Sequence, residues 1–137
     1  MSIVFAAIIL VAVIAGAWWL GSRLPVKHSA SRSTEIAVPP EKLWQAIVAP
    51  SAKRRWGGAS ETVEAQPPRR LVTRIVGESS FGGSWTFEIE PVRDGSRITI
   101  TEDGEIYNAF FRFASRYLIG HARTIETYLK QLRQEVL

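Results

Sequence analysis

The chain has no cysteine, one methionine and only two histidines among its 137 residues. The absence of cysteine excludes disulfides, thiolate nucleophiles and metal sites built on thiolates. A histidine-based metal site would have to combine His28 or His121 with carboxylates, and no spacing in the sequence suggests one. The glycine-rich phosphate loop, G-x-S-x-G, H-E-x-x-H and EF-hand patterns are also missing. The sequence therefore predicts no metal and no cofactor.

Charge is absent from the first 22 residues, and the first charged side chain is that of Arg23. An uninterrupted apolar run opens at Ile3 and closes at Leu20. As a helix it spans about 27 Å, close to the hydrocarbon thickness of a bilayer. Trp18 and Trp19 lie at its end, where indole rings favour the interface between membrane and water. We predict a transmembrane anchor over residues 1–22, followed by a linker over residues 23–27.

The charges that flank this segment predict its orientation. Arg23 and Lys27 follow the run, whereas only the terminal amine precedes it. The positive-inside rule then puts the N-terminus outside and the rest of the chain in the cytoplasm, as a single-pass membrane protein. A cleaved signal peptide is one alternative, because Ala15-Gly16-Ala17 resembles a cleavage site, and a buried core helix is another. The anchor is favoured because no basic residue precedes the run and no polar stripe interrupts it.

The remainder, residues 28–137, has the length of one domain, and the whole chain carries a net charge of +4. Alternating and apolar segments predict strands over residues 29–38, 61–66, 71–76, 84–90 and 97–101, with 105–107 as an optional sixth. Asp94-Gly95 predicts a hairpin between the last two long strands. Pro39-Pro40-Glu41 predicts the start of a short amphipathic helix. The fold class is therefore α+β.

From about Asn108 the hydrophobic period changes from two to 3.6, which predicts one long helix to the end of the chain. Its apolar stripe consists of Phe110, Ala114, Tyr117, Leu118, Ile125, Tyr128, Leu129, Leu132 and Val136. Its opposite face carries the basic residues Arg112, Arg116, Arg123 and Lys130. That basic face is either solvated or lies against anionic lipid headgroups. Nucleic acid is not predicted as a partner, because basic and exposed aromatic residues do not alternate as in proteins that stack bases.

The order of these elements resembles the START-like superfamily, also called SRPBCC or polyketide cyclase/dehydrase-like, over roughly residues 28 to 135. The residues that carry the resemblance are the segments 36–44 (IAVPPEKLW), Trp56, 83–89 (GSWTFEI), 98–102 (ITITE) and 125–132 (IETYLKQL). The resemblance implies a helix-grip fold, in which a curved antiparallel sheet wraps around the long C-terminal helix. It also implies a pocket for an apolar ligand between them. Members include lipid and sterol carriers, coenzyme Q-binding proteins, polyketide cyclases and chaperone co-activators, so membership does not specify an activity.

Two polar residues are the candidates for chemistry. His121 falls on the apolar stripe, where a neutral imidazole is a ligand contact, a general base or a satisfied core histidine. Glu102 continues the inward parity of Ile98 and Ile100, so it faces the pocket mouth unless the strand already turns into solvent at Asp103-Gly104. The candidates for ligand contact are Trp56, Trp85, Phe87, Ile100, Phe113, Tyr117 and His121.

The prediction for function is a membrane-tethered module that binds an apolar small molecule of the lipid, quinone or isoprenoid class. One alternative is a protein-interaction or regulatory module without a pocket, with a protein as its partner. The other is an enzyme of the cyclase/dehydrase kind that uses His121 or Glu102 for proton transfer.

Overall fold

The structure, a computed structural model, describes residues 2–49 and 59–137. It opens with helix α1, Ile3–Arg23, whose side chains are exposed along almost its whole length. In the described part of the chain, α1 is the one helix that is long and apolar enough to cross a membrane. A signal sequence near the N-terminus meets the same criterion of length and composition, and the criterion does not address the orientation of the helix.

Within the described ranges, five strands follow and form one antiparallel sheet. They are β1 (Lys27–Ile36), β2 (Ser60–Gln66), β3 (Arg70–Ile75), β4 (Phe81–Val92) and β5 (Gly95–Ile106). Their spatial order is β1-β5-β4-β3-β2, so β5 lies between the first strand and β4. The predicted hairpin at Asp94-Gly95 is confirmed, since Val92 pairs with Gly95 across the turn.

The core lies on one face of this sheet, as the alternating pattern predicts. Trp85, Phe87 and Ile89 of β4 point into it beside Ile98 and Ile100 of β5. Helix α2, Pro40–Val48, and helix α4, Arg123–Val136, cover that face. Helix α4 contributes a buried stripe at helical spacing: Ile125, Tyr128, Leu129, Leu132 and Val136. The α+β class with a helix-grip-like arrangement is thereby established.

The prediction of a single long helix from residue 108 to the end of the chain is wrong. The segment forms α3 (Ala109–Phe113), then a π-helical turn (Ala114–Ile119), and is interrupted before α4. Gly120 causes the break, because its φ of 89° lies outside the helical region and its N–H bonds back to the Ser115 carbonyl. The predicted apolar stripe is therefore split: its α4 half is buried, whereas Tyr117 and Leu118 are exposed.

The basic face predicted for that long helix changes for the same reason. Arg112 and Arg116 lie before the break, and Arg123 and Lys130 lie after it on α4. The Arg112 guanidinium donates to the carbonyls of Gly21, Ile106 and Tyr107, so it fastens α3 to the end of α1.

The predicted solvent turn at Asp103-Gly104 is also wrong, because β5 continues to Ile106. Gly104 pairs with His28 of β1 on one side and with Gly83 of β4 on the other. A central strand with a neighbour on each side stays extended even where its local sequence is typical of a turn. The optional sixth strand predicted over residues 105–107 is not a separate strand, because Glu105 and Ile106 are the end of β5 and Tyr107 lies beyond it.

Candidate functional site

A cavity of about 410 Å³ opens between the sheet and the segment that joins α3 to α4. Its sheet wall includes Ile75, Phe81, Trp85, Glu102 and Ile106. Its helical wall is formed by Phe111, Ala114, Ser115, Ile119, Gly120, His121 and Thr124. Gly120, where the helical segment is interrupted before α4, is itself part of this wall.

One polar group in this cavity is centred on the carboxylate of Glu102. The indole Nε1 of Trp85 donates to Glu102 Oε2 at 3.0 Å, and the Nε2 of His28 lies 3.1 Å from Glu102 Oε1. An ionised carboxylate can only accept hydrogen bonds, so the tautomer of His28 with its proton on Nε2 is the one that can donate to it. The side chains of His28 and Glu102 are only 10% and 18% exposed. Glu102 is thus held in place from two strands, β1 and β4.

The second polar group is a pair of stacked imidazoles. The rings of His28 and His121 lie 4.2 Å apart, with an angle of 15° between their planes. The Nδ1 of His121 is also 2.7 Å from the hydroxyl oxygen of Ser115 on the π-helical turn. The stack therefore connects the sheet to the helical wall, and one continuous chain of contacts runs from Trp85 through Glu102 and both histidines to Ser115.

His121 is held in its neutral form more strongly than a solvated histidine. Burial lowers the pKa of His121 below its usual 6.5, and the nearby His28 and Arg116 lower it further. A neutral imidazole offers one donor and one acceptor at the same time. His121 can therefore orient a polar ligand group or accept a proton from one at neutral pH.

Gly104 makes room for this arrangement. A Cβ at Gly104 would overlap the ring of His28 and lie 3.0 Å from Glu102 Oε1. Only glycine at this central position of β5 lets the imidazole lie across the strand and reach the carboxylate. The close approach of the His28 ring to the backbone of Gly104 is a requirement of packing. The local sequence around Gly104 is typical of a turn and does not predict it.

The residues predicted from the sequence are divided between cavity, core and surface. Trp85, Glu102 and His121 line the cavity, and contacts with His28 join them into one group. Phe87 and Ile100 lie in the core, where Phe87 packs edge-on against Tyr128. Trp56 lies outside the described residues.

Two other predicted aromatic residues belong to the helical segment. Phe113 approaches Gly21 of α1, and its ring is 5.3 Å from that of Tyr117. Tyr117 is 53% exposed, with the Arg116 guanidinium near its ring. Both lie on the outside of the cavity wall.

Sequence reasoning missed His28 as a member of the site. The signal available was its parity with Ile36, because extending the strand predicted over residues 29–38 back by one residue assigns both to the same face of the sheet. Its position opposite Gly104 depends on the pairing of β1 with β5, which no local pattern reveals. Across the described residues, no group of three or more metal-binding side chains comes together.

Comparisons with known proteins identify the fold only. Neither a protein-family sequence model nor a curated protein sequence matches the chain. Solved structures do match, among them a conserved protein of Geobacillus kaustophilus, with a TM-score of 0.67 and 17% identity over 80% of this chain and 95% of that one.

Two further solved structures are similar to the chain. An uncharacterised protein of Rhizobium leguminosarum matches with a TM-score of 0.64 and 13% identity, over 80% of this chain and 94% of that one. A protein of Chromobacterium violaceum matches with a TM-score of 0.60 and 17% identity, over 79% of this chain and 96% of that one. The chain is thus an α+β protein that shares the fold of these bacterial proteins.

Proposed function

We propose that the chain is a membrane-tethered, START-like module that binds one apolar small molecule bearing a polar end group, in the cavity between β4, β5 and the π-helical turn. The observation that carries the proposal is an apolar cavity with a partly buried polar group at one side. Apolar walls with a few fixed hydrogen-bonding groups are typical of small-molecule sites. The resemblance of residues 28–135 to the START-like superfamily supports the same proposal.

The size of the cavity restricts the class of ligand. Its volume of about 410 Å³ is in the lower half of the range of about 300–1,000 Å³ found for ligand pockets. This volume favours a single acyl chain, a short-chain quinone or an isoprenoid alcohol over a lipid with two acyl chains. The polar end of such a ligand, a carboxyl, hydroxyl or carbonyl group, would meet His121, His28 and Ser115.

The membrane is proposed as the source of the ligand, with α1 as the anchor and the domain on the cytoplasmic side. Support comes from the length and apolar composition of α1 and from the basic residues that follow it. A tether keeps the cavity near the bilayer and raises the effective concentration of a membrane-resident ligand.

A protein-interaction module with a filled core is less well supported, because the cavity stands where that proposal requires packed side chains. Proton-transfer chemistry is the second candidate, and one contact favours it. Ser115 Oγ lies 2.7 Å from the Nδ1 of His121, whose pKa is lowered, and this is the relation of a hydroxyl to a general base.

Mass spectrometry of small molecules that copurify with the full-length chain in mild detergent tests the binding proposal. Ala114 lines the cavity, so Ala114→Phe should fill it and lower the amount of bound ligand at least tenfold. Ala65→Phe on the exposed part of β2 is the matched control and should retain the ligand. Equal occupancy in both variants, or no bound species in the wild type, would contradict the proposal.

His121→Ala separates binding from catalysis. If His121 orients the ligand, the variant should bind more weakly and still release the ligand unchanged. Chemical conversion of the ligand by the wild type, and none by His121→Ala, would favour the enzyme instead. Loss of stability at unchanged affinity would assign His121 to the core.

A further inference from the structure

The segment between β5 and α4 has an outer surface that the cavity does not explain. Its exposed apolar side chains are Phe110, Phe111, Tyr117, Leu118 and Ile119, and Leu118 reaches 73% exposure. We call these five residues the α3 patch. A cluster of large apolar side chains on a soluble surface is typical of an interaction site. Phe111 and Ile119 also line the cavity, whereas Phe110, Tyr117 and Leu118 do not.

The α3 patch has a fixed position relative to α1. Gly21, in the last turn of α1, is buried against α3, and a Cβ there would overlap the carbonyl of Ala109. The Arg112 guanidinium donates to the Gly21 carbonyl at 2.8 Å and to the Ile106 carbonyl at 3.0 Å. Because a charged donor bridges α1 and the end of β5, α3 stays at the level of the last turn of α1.

That level corresponds to the membrane surface if α1 spans the bilayer. Trp18 and Trp19 lie only two or three positions before Gly21, and both are exposed. Tryptophan in this position marks the headgroup region. The Arg23 guanidinium lies 4.3 Å above the Trp19 ring, as expected for a cation at the edge of the apolar layer. Helix α3, which carries Phe110 and Phe111 of the patch, is docked on the turn of α1 that follows these tryptophans.

The charge around the patch suits an anionic surface. From Ala109 to Ile125 the sequence contains Arg112, Arg116 and Arg123 and no acidic residue. Arg116 lies beside the ring of Tyr117 in the patch itself. An apolar face bordered by arginine is the composition of elements that lie in the plane of the membrane interface.

We infer that α3 and the π-helical turn are inserted in the cytoplasmic interface of the bilayer, with the α3 patch among the lipid chains and headgroups. The inference rests on the proposed function, since it requires that α1 is a membrane anchor. It adds that the helical wall of the cavity is itself the membrane-contacting element. A ligand could therefore pass from the bilayer into the cavity past Ile119 without crossing water, because Ile119 belongs to both the patch and the cavity wall.

The absence of cysteine makes this inference directly testable by site-directed spin labelling of the full-length chain. Nitroxides would be attached at Leu118→Cys, at Val11→Cys within α1 and at Val63→Cys on β2. Val63 is the matched control, because it is apolar and 58% exposed but lies outside the patch. The protein would be incorporated as single copies in nanodiscs of phosphatidylcholine and phosphatidylglycerol, and relaxation by oxygen and by a water-soluble nickel chelate would be measured.

The label at Leu118 should respond to the two reagents as the label at Val11 does. Oxygen should relax it at least threefold more effectively than it relaxes the label at Val63, and the nickel chelate should have little effect on it. A Leu118 label that responds to the chelate as strongly as Val63 would overturn the inference. A label protected from both reagents would also overturn it, since the patch would then be covered by protein. The test does not depend on a ligand, so retained ligand with a water-exposed Leu118 would refute membrane insertion and leave the proposed function intact. A Val11 label exposed to water would instead refute the membrane anchor.

Discussion

Two glycines of α1 offer a direct test of whether this helix is docked on the domain or merely attached to it. Gly16 has open space around its Cα, with nothing within 4 Å of an added Cβ. Gly21 is buried, and the same addition would overlap the backbone carbonyl of Ala109. Gly16→Ala and Gly21→Ala are therefore the same chemical change in one helix, with and without a neighbouring element.

Helix propensity alone predicts that both changes are neutral or favourable, since alanine exceeds glycine by about 1 kcal/mol in a helix. The tertiary contact predicts the opposite for Gly21→Ala. A backbone carbonyl cannot rotate away as a side chain can, so α1 and α3 must separate. Separation would lengthen the bond from Arg112 to the Gly21 carbonyl, and a hydrogen bond from a charged donor contributes about 1.5–3 kcal/mol.

The assay is thermal unfolding of the full-length protein in nanodiscs, followed by tryptophan fluorescence. A loss of about 1.5–3 kcal/mol corresponds to a fall in Tm of roughly 5–15 °C for a domain of this size. Gly16→Ala should leave the Tm unchanged, because α1 stays helical in the bilayer. The double variant Gly21→Ala with Arg112→Leu should be no less stable than Arg112→Leu alone, because Arg112→Leu already removes the bond to the Gly21 carbonyl that Gly21→Ala would lengthen. Equal Tm values for Gly16→Ala and Gly21→Ala would refute the docking of α1 on α3.

Three further predictions concern the cavity and its walls. The pKa of His121 is lowered in the folded state, so around pH 6.5 and just below it the unfolded chain binds more protons than the folded chain. The free energy of unfolding should therefore fall as the pH decreases through about 6.5. Urea titrations across this range should show a shallower fall for His121→Gln, and an unchanged slope would contradict the assignment. Gly120→Ala should lower the free energy of unfolding by about 1–3 kcal/mol, because a φ of 89° is strained for alanine although the space around the residue is open. The loss would be measured as a lower urea midpoint. An unaltered midpoint would show that the break between the helices tolerates a side chain. Gly104→Ala should displace the ring of His28 from Glu102 and weaken ligand binding. The displacement would be measured as a changed NMR signal of the His28 imidazole. An unchanged signal would show that the ring does not lie across β5.

Most of the regular structure follows from local patterns. The alternation of Trp85, Phe87 and Ile89 predicts the buried face of β4, and Asp94-Gly95 predicts its hairpin with β5, because side chains on a strand alternate between two faces. The 3.6 period from Ile125 onward predicts the buried side of α4 for a similar reason. Pro39-Pro40 places the start of α2 correctly.

The errors arise where two local signals compete and packing decides between them. The periodicity of residues 110–118 favours a continuous helix, but Gly120 permits a break, and the apolar side chains of the patch then remain exposed. Asp103-Gly104 is typical of a turn, but backbone hydrogen bonds to β1 and β4 hold it in an extended strand. Neither outcome is encoded within a window of neighbouring residues.

The sequence by itself determined the apolar N-terminal helix, the α+β class and the inward position of Trp85, since these depend on composition and period. Only the tertiary structure decided the candidate site. His28 and His121 are separated by most of the domain in sequence, and they stack because β1 pairs with β5 beside the interrupted helix. The contact of Gly21 with Ala109 is likewise a matter of tertiary packing. Such contacts depend on how strands are paired and how closely backbones approach, and a linear pattern of hydrophobicity carries no information about either.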